Sequence, residues 1–269
     1  MTRAIRVAIN GAAGRMGSAV CALLVRDARF TLLHAVVAPD STRVGTPVCA
    51  NAPAALRCAR DWRDAPAVDV VIDFSTPVGL GAALAHCLAG GAALLTGTTG
   101  CDAAMDARLL AASARIAVLR AANFSLGVAV LTRLLREAAA ALPAWDGEIV
   151  EAHHGAKRDA PSGTALALGD AIAQGRHTVG ETSFVYNRTG LTDERKQGSI
   201  GFATVRGGDI VGEHTAMLIG QGERLELVHR ATDRSIFARG ALHAAHWLSR
   251  RAPGAWTLED VLANPRVDA

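Results

Sequence analysis

A chain of 269 residues, 50% hydrophobic and only 20% charged, carries enough apolar material to bury a substantial core as one large or two modest domains. Its net charge of +3 is spread along the chain without a long block of one sign, which argues against nucleic acid as a partner. No apolar run reaches the roughly 18 residues of a membrane span, and the opening MTRAIRVAIN lacks a signal peptide's apolar segment, so no membrane association and a cytoplasmic location are expected.

Up to about residue 125, short β-branched runs alternate with Ala/Leu-rich helical stretches. IRVAIN, TLLHAVV, VDVVIDF, AALLTG and RIAVLRA are the predicted strands, with MGSAVCALLVRDA and VGLGAALAHCLAG as helices between them. Runs that are apolar throughout, separated by helices, imply a Rossmann-like, doubly wound parallel sheet covered on both faces. The five cysteines (Cys21, Cys49, Cys58, Cys87, Cys101) show no CxxC spacing and are expected as reduced core residues.

VAINGAAGRMGSAV sets Gly11, Gly14 and Gly17 between the first strand and the first helix, with Ala12 where G-x-G-x-x-G has a glycine. Amides at such a helix start can hold a pyrophosphate; the alternative is a tight turn without ligand. An acidic residue that would hold the adenosine ribose is missing after the second strand, where Val37 and Ala38 stand, with Asp40 slightly beyond. Arg43 could meet a ribose phosphate there, or be a solvated loop arginine. Further strand ends at Asp73-Phe74-Ser75-Thr76, Gly97-Thr98-Thr99 and Ala121-Ala122-Asn123-Phe124 offer small and hydroxylic residues where open α/β sheets bind ligands.

From about residue 145 the rhythm changes: GEIVEAHH, TSFVYNR, SIGFATVRGG, TAMLIG and RLELVHR are predicted strands with one convincing helix among them. That composition implies a second, α+β domain on a mixed or antiparallel sheet. SIFARGALHAAHWLSR then returns to helical spacing. The expected division is a dinucleotide-binding domain of residues 1–125 completed by 235–269, and a second domain of residues 126–234.

EAHHGAKRDAPSGTALALGD, residues 151–170, carries the chemistry. His153 and His154 can exchange protons near neutral pH, and Lys157 can offer a cation or a proton. Lys157 is one of only two lysines against 26 arginines, and arginine cannot act as an acid. Adjacent strand residues point to opposite faces, so the paired histidines suit one metal ion poorly, and no metal is expected. Ser162 or Thr164 caps the following helix, whose Gly163 and Thr164 amides attract anions. The grouping suits a dianionic substrate.

In order along the chain, GAAGRMG, VIDFSTP, GTTG, AANFSLGV, EAHHGAKRDAPSGTAL and GFATVRGGDIVGEHTAM closely resemble the 4-hydroxy-tetrahydrodipicolinate reductase family, long called dihydrodipicolinate reductase, of bacterial lysine and diaminopimelate synthesis. The resemblance implies reduction of a small cyclic dicarboxylate by NADH or NADPH in a homotetramer built through the sheets of the second domain, which would bind substrate and mediate oligomerisation. It implies cofactor contacts from Gly11, Ala12, Ala13, Gly14, Arg15 and Met16, from Gly97, Thr98 and Thr99, and from Ala121, Ala122, Asn123 and Phe124. It makes His153 the proton donor/acceptor, Lys157 a second proton donor, and His154, Gly163 and Thr164 the substrate's holders.

Val37 and Thr76 depart from the family pattern at the adenosine end and leave NADH against NADPH open. Arg206, Asp209, Glu213 and His214 receive no catalytic role: the glycines around them suggest a mobile loop, and a lone His214 reads as structural. Two other readings remain, an NAD(P)-dependent oxidoreductase on another small imine or amino acid, and a non-catalytic cofactor-binding protein. The first has no need of the compact HHGAK-to-SGT cluster, and the second would tolerate loss of the two proton donors that this chain retains.

Overall fold

The computed structural model describes residues 3–263. In chain order its first part runs β1 (Ile5–Asn10), α1 (Arg15–Leu24), β2 (Phe30–Val36), β3 (Cys58–Ala59), β4 (Val70–Asp73), α2 (Pro77–Gly90), β5 (Ala93–Thr96), α3 (Ala103–Ala112) and β6 (Ala117–Arg120). There follow α4 (Leu126–Ala141), β7 (Asp146–His153), α5 (Gly163–Gly175), β8 (Phe184–Val185), β9 (Ile200–Arg206), β10 (Gly212–Ile219) and β11 (Arg224–Ala231). The last elements are α6 (Ser235–Leu248), β12 (Gly254–Trp256) and α7 (Leu258–Ala263). Two units result, one holding the chain up to Leu126 and from Ser235 onward, the other Gly127–Arg234.

The first unit is a seven-stranded sheet in the order β12-β6-β5-β4-β1-β2-β3, parallel throughout. Every residue of β4 and β5 is buried, as strands covered on both faces must be. On one face Leu80, Leu84 and Cys87 of α2 and Met105 and Leu109 of α3 close over Ala8, Val71, Leu94 and Val118. α6 packs against α1 and against β4, β5 and β6. Each fully buried leucine contributes about 1.5–3 kcal/mol relative to exposure. β3 and β12, of two and three residues, carry no periodicity that a sequence reading could detect.

The turn after β1 explains its glycine. Gly11 has φ +79°, and a Cβ there would run into the Phe74 carbonyl oxygen, so the β1–α1 crossover lies flush on the end of β4.

In the second unit the sheet order is β11-β10-β7-β9-β8. β10 is antiparallel to both β7 and β11, while β7, β9 and β8 run parallel, so the sheet is mixed. Leu131 and Leu135 of α4 and Leu168 and Ile172 of α5 pack on Ile149, Ile200, Phe202 and Leu218. TSFVYNR contributes only Phe184 and Val185 as strand. The five cysteines are free; Cys21, Cys58 and Cys87 are buried, whereas Cys49 and Cys101 are half-exposed rather than core.

Candidate active site

Within the first unit, a cavity of about 950 Å3 opens at the carboxyl ends of β1, β2 and β4. Gly11, Ala13 and Gly14 line it, while Ala12 is buried beneath, its N–H donating to the Val36 carbonyl at 2.9 Å. Gly14 caps α1 without a side-chain hydrogen bond, so no side-chain cap engages the amides of the first turn, which Arg15 and Met16 open. Open first-turn amides beside a glycine cradle fit an anionic pyrophosphate.

The ends of β4, β5 and β6 meet at Phe74, which lines this cavity, whereas residues 97–99 and 121–124 are not part of its lining. The rings of Phe74 and Phe124 pack edge to face, centroids 5.4 Å apart, and a Cβ on Gly97 would strike the Phe74 ring. Beneath them Asp73, with no solvent exposure, accepts hydrogen bonds from Asn10 Nδ2 (2.7 Å), Thr96 Oγ1 (2.7 Å) and Thr98 Oγ1 (2.6 Å). Thr98 is thereby turned inward, and its Oγ1 in turn accepts from the Ser75 N–H at 3.0 Å. Thr99 is exposed, as is Ala122, and Ala121 donates its N–H to the Thr96 carbonyl at 3.1 Å. Asn123 Oδ1 accepts from the Ser125 N–H at 2.8 Å, which shapes the turn leading to α4.

Arg43 does not face this cavity. Its guanidinium is committed to Thr46 Oγ1 (3.0 Å) and to the Pro47 (3.0 Å) and Val48 (3.2 Å) carbonyls of its own loop. Thr76 does line it, and its Oγ1 caps α2 by accepting from Gly79 N–H at 3.2 Å.

Within the second unit, the residues of the HHGAK stretch converge at the end of β7. Alternation along that strand puts Gly147, Ile149 and Glu151 on its buried face, with His153 next in the same row. A buried carboxylate requires partners, and Glu151, 1% exposed, has four, the longest contact being Thr204 Oγ1 donating to Oε1 at 3.4 Å. Arg206 donates to both its oxygens at 2.8 Å, Ser162 N–H donates to Oε1 at 3.0 Å, and His153 Nδ1 lies 2.6 Å from Oε2. Burial opposes ionisation of Glu151, but Arg206, His153 and the Ser162 amide together outweigh it and hold its pKa at about 2.

His153 itself is pushed below the ordinary imidazole value, by burial first and by the nearby Lys157 and Arg206 cations, against the pull of Glu151. His154 lies past the strand end, where its carbonyl accepts from Lys157 N–H at 3.1 Å. Lys157 Nζ pairs with Asp159 at 2.8 and 2.9 Å. Gly163 and Thr164 open α5, and the cap is Ser162, whose Oγ accepts from Ala165 N–H at 3.2 Å; Thr164 is not the cap.

Three residues to which the sequence assigns no catalytic role complete the cluster. Glu151 was visible as the same-face neighbour of His153. Arg206 sits opposite His153 in the β7–β9 register, and also donates to the Asp159 carbonyl at 2.7 Å. His214, 4% exposed, pairs with Glu151 in the β10–β7 register. Its Nε2 lies 3.0 Å from Ser162 Oγ, its ring meets that of His153 edge to face at 5.2 Å, and burial lowers its pKa to about 4. The glycines of the β9–β10 loop bond to the end of β7 and just past it: Gly207 N–H donates to the His153 carbonyl at 3.0 Å, and Gly155 N–H to that of Gly208 at 3.2 Å.

The arrangement offers a proton-exchanging imidazole with one nitrogen fixed, a lysine ammonium, and a helix start. Two family models match the chain, one described as Dihydrodipicolinate reductase, N-terminus, over residues 5–124 and one as Dihydrodipicolinate reductase, C-terminus, over residues 127–262. The 4-hydroxy-tetrahydrodipicolinate reductase of Xanthomonas campestris pv. campestris is 46% identical over 264 residues, covering 97% of this chain and 99% of the relative. That of Thiobacillus denitrificans is 44% identical over 271 residues, covering 96% and 98%. Among solved structures, a dipicolinate-bound dihydrodipicolinate reductase from Paenisporosarcina sp. TG-14 superposes with a TM-score of 0.77 at 22% identity, over 96% of this chain and 100% of that one.

Proposed function

The chain belongs to the dihydrodipicolinate reductase family, and from that membership we propose how its own residues divide the work. It is an NAD(P)H-dependent reductase of 4-hydroxy-tetrahydrodipicolinate. When bound, NADH or NADPH supplies the hydride. The turn of residues 11–16, residues 97–99 and residues 121–124 hold it, a reading supported by the glycine cradle and the uncapped start of α1.

His153 is the acid. Hydride addition leaves electron density in the substrate ring that must take up a proton, and His153 Nε2 delivers it while Glu151 holds Nδ1. The observation that carries this reading is the buried Glu151 carboxylate, fixed by Arg206 at 2.8 Å and reaching His153 Nδ1 at 2.6 Å. Lys157 exchanges its Asp159 partner for a substrate carboxylate and serves as second proton donor, with His154 and the Gly163 and Thr164 amides completing the anion site. The residues assigned here make a dinucleotide-binding first unit and a substrate-binding second unit. A homotetramer joined through the second unit's sheet is part of the same proposal, supported by the exposed apolar residues Val205 and Val228 on β9 and β11, as is a cytoplasmic location.

The test is loss of reduced-nicotinamide absorbance with the cyclic imine generated in place from pyruvate and aspartate semialdehyde. Substrate-dependent oxidation that His153→Gln abolishes, with cofactor affinity retained, is the expected result. Equal loss of cofactor binding in that variant would contradict the division of labour.

A further inference from the structure

We propose that Arg60 and Arg63 receive the 2′-phosphate of the adenosine ribose and make NADPH the preferred reductant; this rests on reading the first unit's cavity as the cofactor site. In folds of this kind a carboxylate after the second strand accepts the two ribose hydroxyls, and a nearby arginine instead accommodates a 2′-phosphate. Here β2 runs out into Val36, Val37 and Ala38, all apolar and all lining the cavity.

The short strand β3 brings cations to that place. β3 pairs in parallel with β2, Val36 opposite Ala59, and Val37 N–H donates to the Ala59 carbonyl at 2.9 Å. Arg60 therefore leaves the carboxyl edge of the sheet directly beside the end of β2. Arg60, Asp61 and Arg63 all line the same cavity, with the Ser41 hydroxyl on the β2 side.

The segment is anchored. Trp62 stacks on His86 with ring centroids 4.6 Å apart and packs on the core, and His34 Nε2 lies 3.0 Å from the Asp61 carbonyl oxygen. The segment brings two guanidiniums and one carboxylate to the cavity, and that carboxylate is already engaged: Asp61 Oδ1 accepts the Arg63 backbone N–H at 3.0 Å, and the Arg63 guanidinium stands 3.9 Å from Oδ2. Arg60 has no ion-pair partner among the described residues. A phosphate dianion completes this charge pattern, whereas a ribose diol would leave Arg60 without a counter-charge. Arg43, the basic residue nearest in sequence to the end of β2, is consumed by its own loop.

Calorimetric titration of the full chain with NADPH and with NADH tests the proposal without turnover. NADPH should bind at least tenfold more tightly, and the gap should narrow as ionic strength rises. Arg60→Ala with Arg63→Ala should lower NADPH affinity tenfold or more and NADH affinity much less; both side chains are exposed, so the core is untouched. Equal affinities in the unmodified chain, or an NADPH preference that survives the double substitution, would overturn it. An NADH preference lost in Asp61→Asn would assign the site to the ribose diol instead. Absence of binding by either cofactor would defeat the cavity reading itself, a distinct outcome that removes this proposal with it.

Discussion

Glu151 and His153 stand on the same face of β7, two residues apart, with Glu151 Oε2 2.6 Å from His153 Nδ1. Period-2 alternation makes the pair, and the parallel register of β9 supplies Arg206 to neutralise the carboxylate. Because Glu151 stays ionised with a pKa of about 2, Nδ1 keeps its proton and the other ring nitrogen, Nε2, is left for exchange. Glu151 touches no substrate in this scheme; it positions the residue that does.

Glu151→Gln therefore should cost turnover without touching cofactor affinity. A neutral amide cannot stabilise a protonated His153, and we expect kcat to fall by roughly 10- to 100-fold, less than the roughly 100- to 10,000-fold that general acid catalysis as a whole contributes, because His153 itself remains. Arg206, its side chain 19% exposed, loses its counter-charge, so stability should fall by about 1–3 kcal/mol. Activity per folded molecule, with the melting temperature measured alongside, separates the two effects. An unchanged kcat would remove Glu151 from the mechanism.

The pH profile should split in a defined direction. In the free site burial and two nearby cations hold the His153 pKa below its ordinary 6.5, so kcat/KM should decline as pH rises through a value below 6.5. A dianionic substrate beside the imidazole favours its charged form and raises the pKa. The falling limb of kcat should thus lie at higher pH than that of kcat/KM. Coincident limbs would mean that the substrate carboxylates bind away from His153.

What the sequence made legible follows from range. The strands β1, β2, β4, β5 and β6, the glycine turn and the His153–Lys157 spacing are local patterns, and each is readable within a dozen residues. Arg206 and His214 reach Glu151 only through the registers of β9 and β10, more than 50 residues along the chain, and nothing in VRGG or GEHT announces that pairing. Arg60 was hidden for another reason: Cys58–Ala59 is too short to show alternation, so the strand that aims it went unseen. Arg43, closer in sequence to β2, drew the attention instead.

His214 should make the protein sensitive to mild acid. Burial keeps it neutral in the folded chain, with a pKa of about 4 against 6.5 when unfolded. Between those values the unfolded chain binds a proton that the folded one refuses, so its contribution is full above pH 6.5 and lost as pH falls toward 4. The total loss is on the order of 3 kcal/mol. His153, also lowered, adds to the same slope, whereas Glu151 contributes only below pH 4.5. Melting temperatures from pH 7.5 to 4.5 should fall less steeply in His214→Gln; parallel curves would show that His214 does not set the slope.

Asp73 should prove indispensable to the carboxyl edge of the first sheet. It is fully buried, has no cationic partner among the described residues, and is held by donors from the ends of β1 and β5, Asn10, Thr96 and Thr98 among them. Asp73→Asn keeps shape and volume but turns one acceptor into a donor. The new amide can keep its oxygen on Asn10 Nδ2, but its NH2 then faces Thr96 and Thr98, whose hydroxyls lose the acceptor they donate to, at a cost of about 1–3 kcal/mol. A melting temperature several degrees lower is expected, together with weaker cofactor binding, because Thr98 and Ser75 lose the anchor that sets the strand ends beside the cavity. Thr98→Val removes a single donor and should be the milder change. If Asp73→Asn melted with the unmodified chain and bound cofactor equally well, the carboxylate would not be what organises this edge.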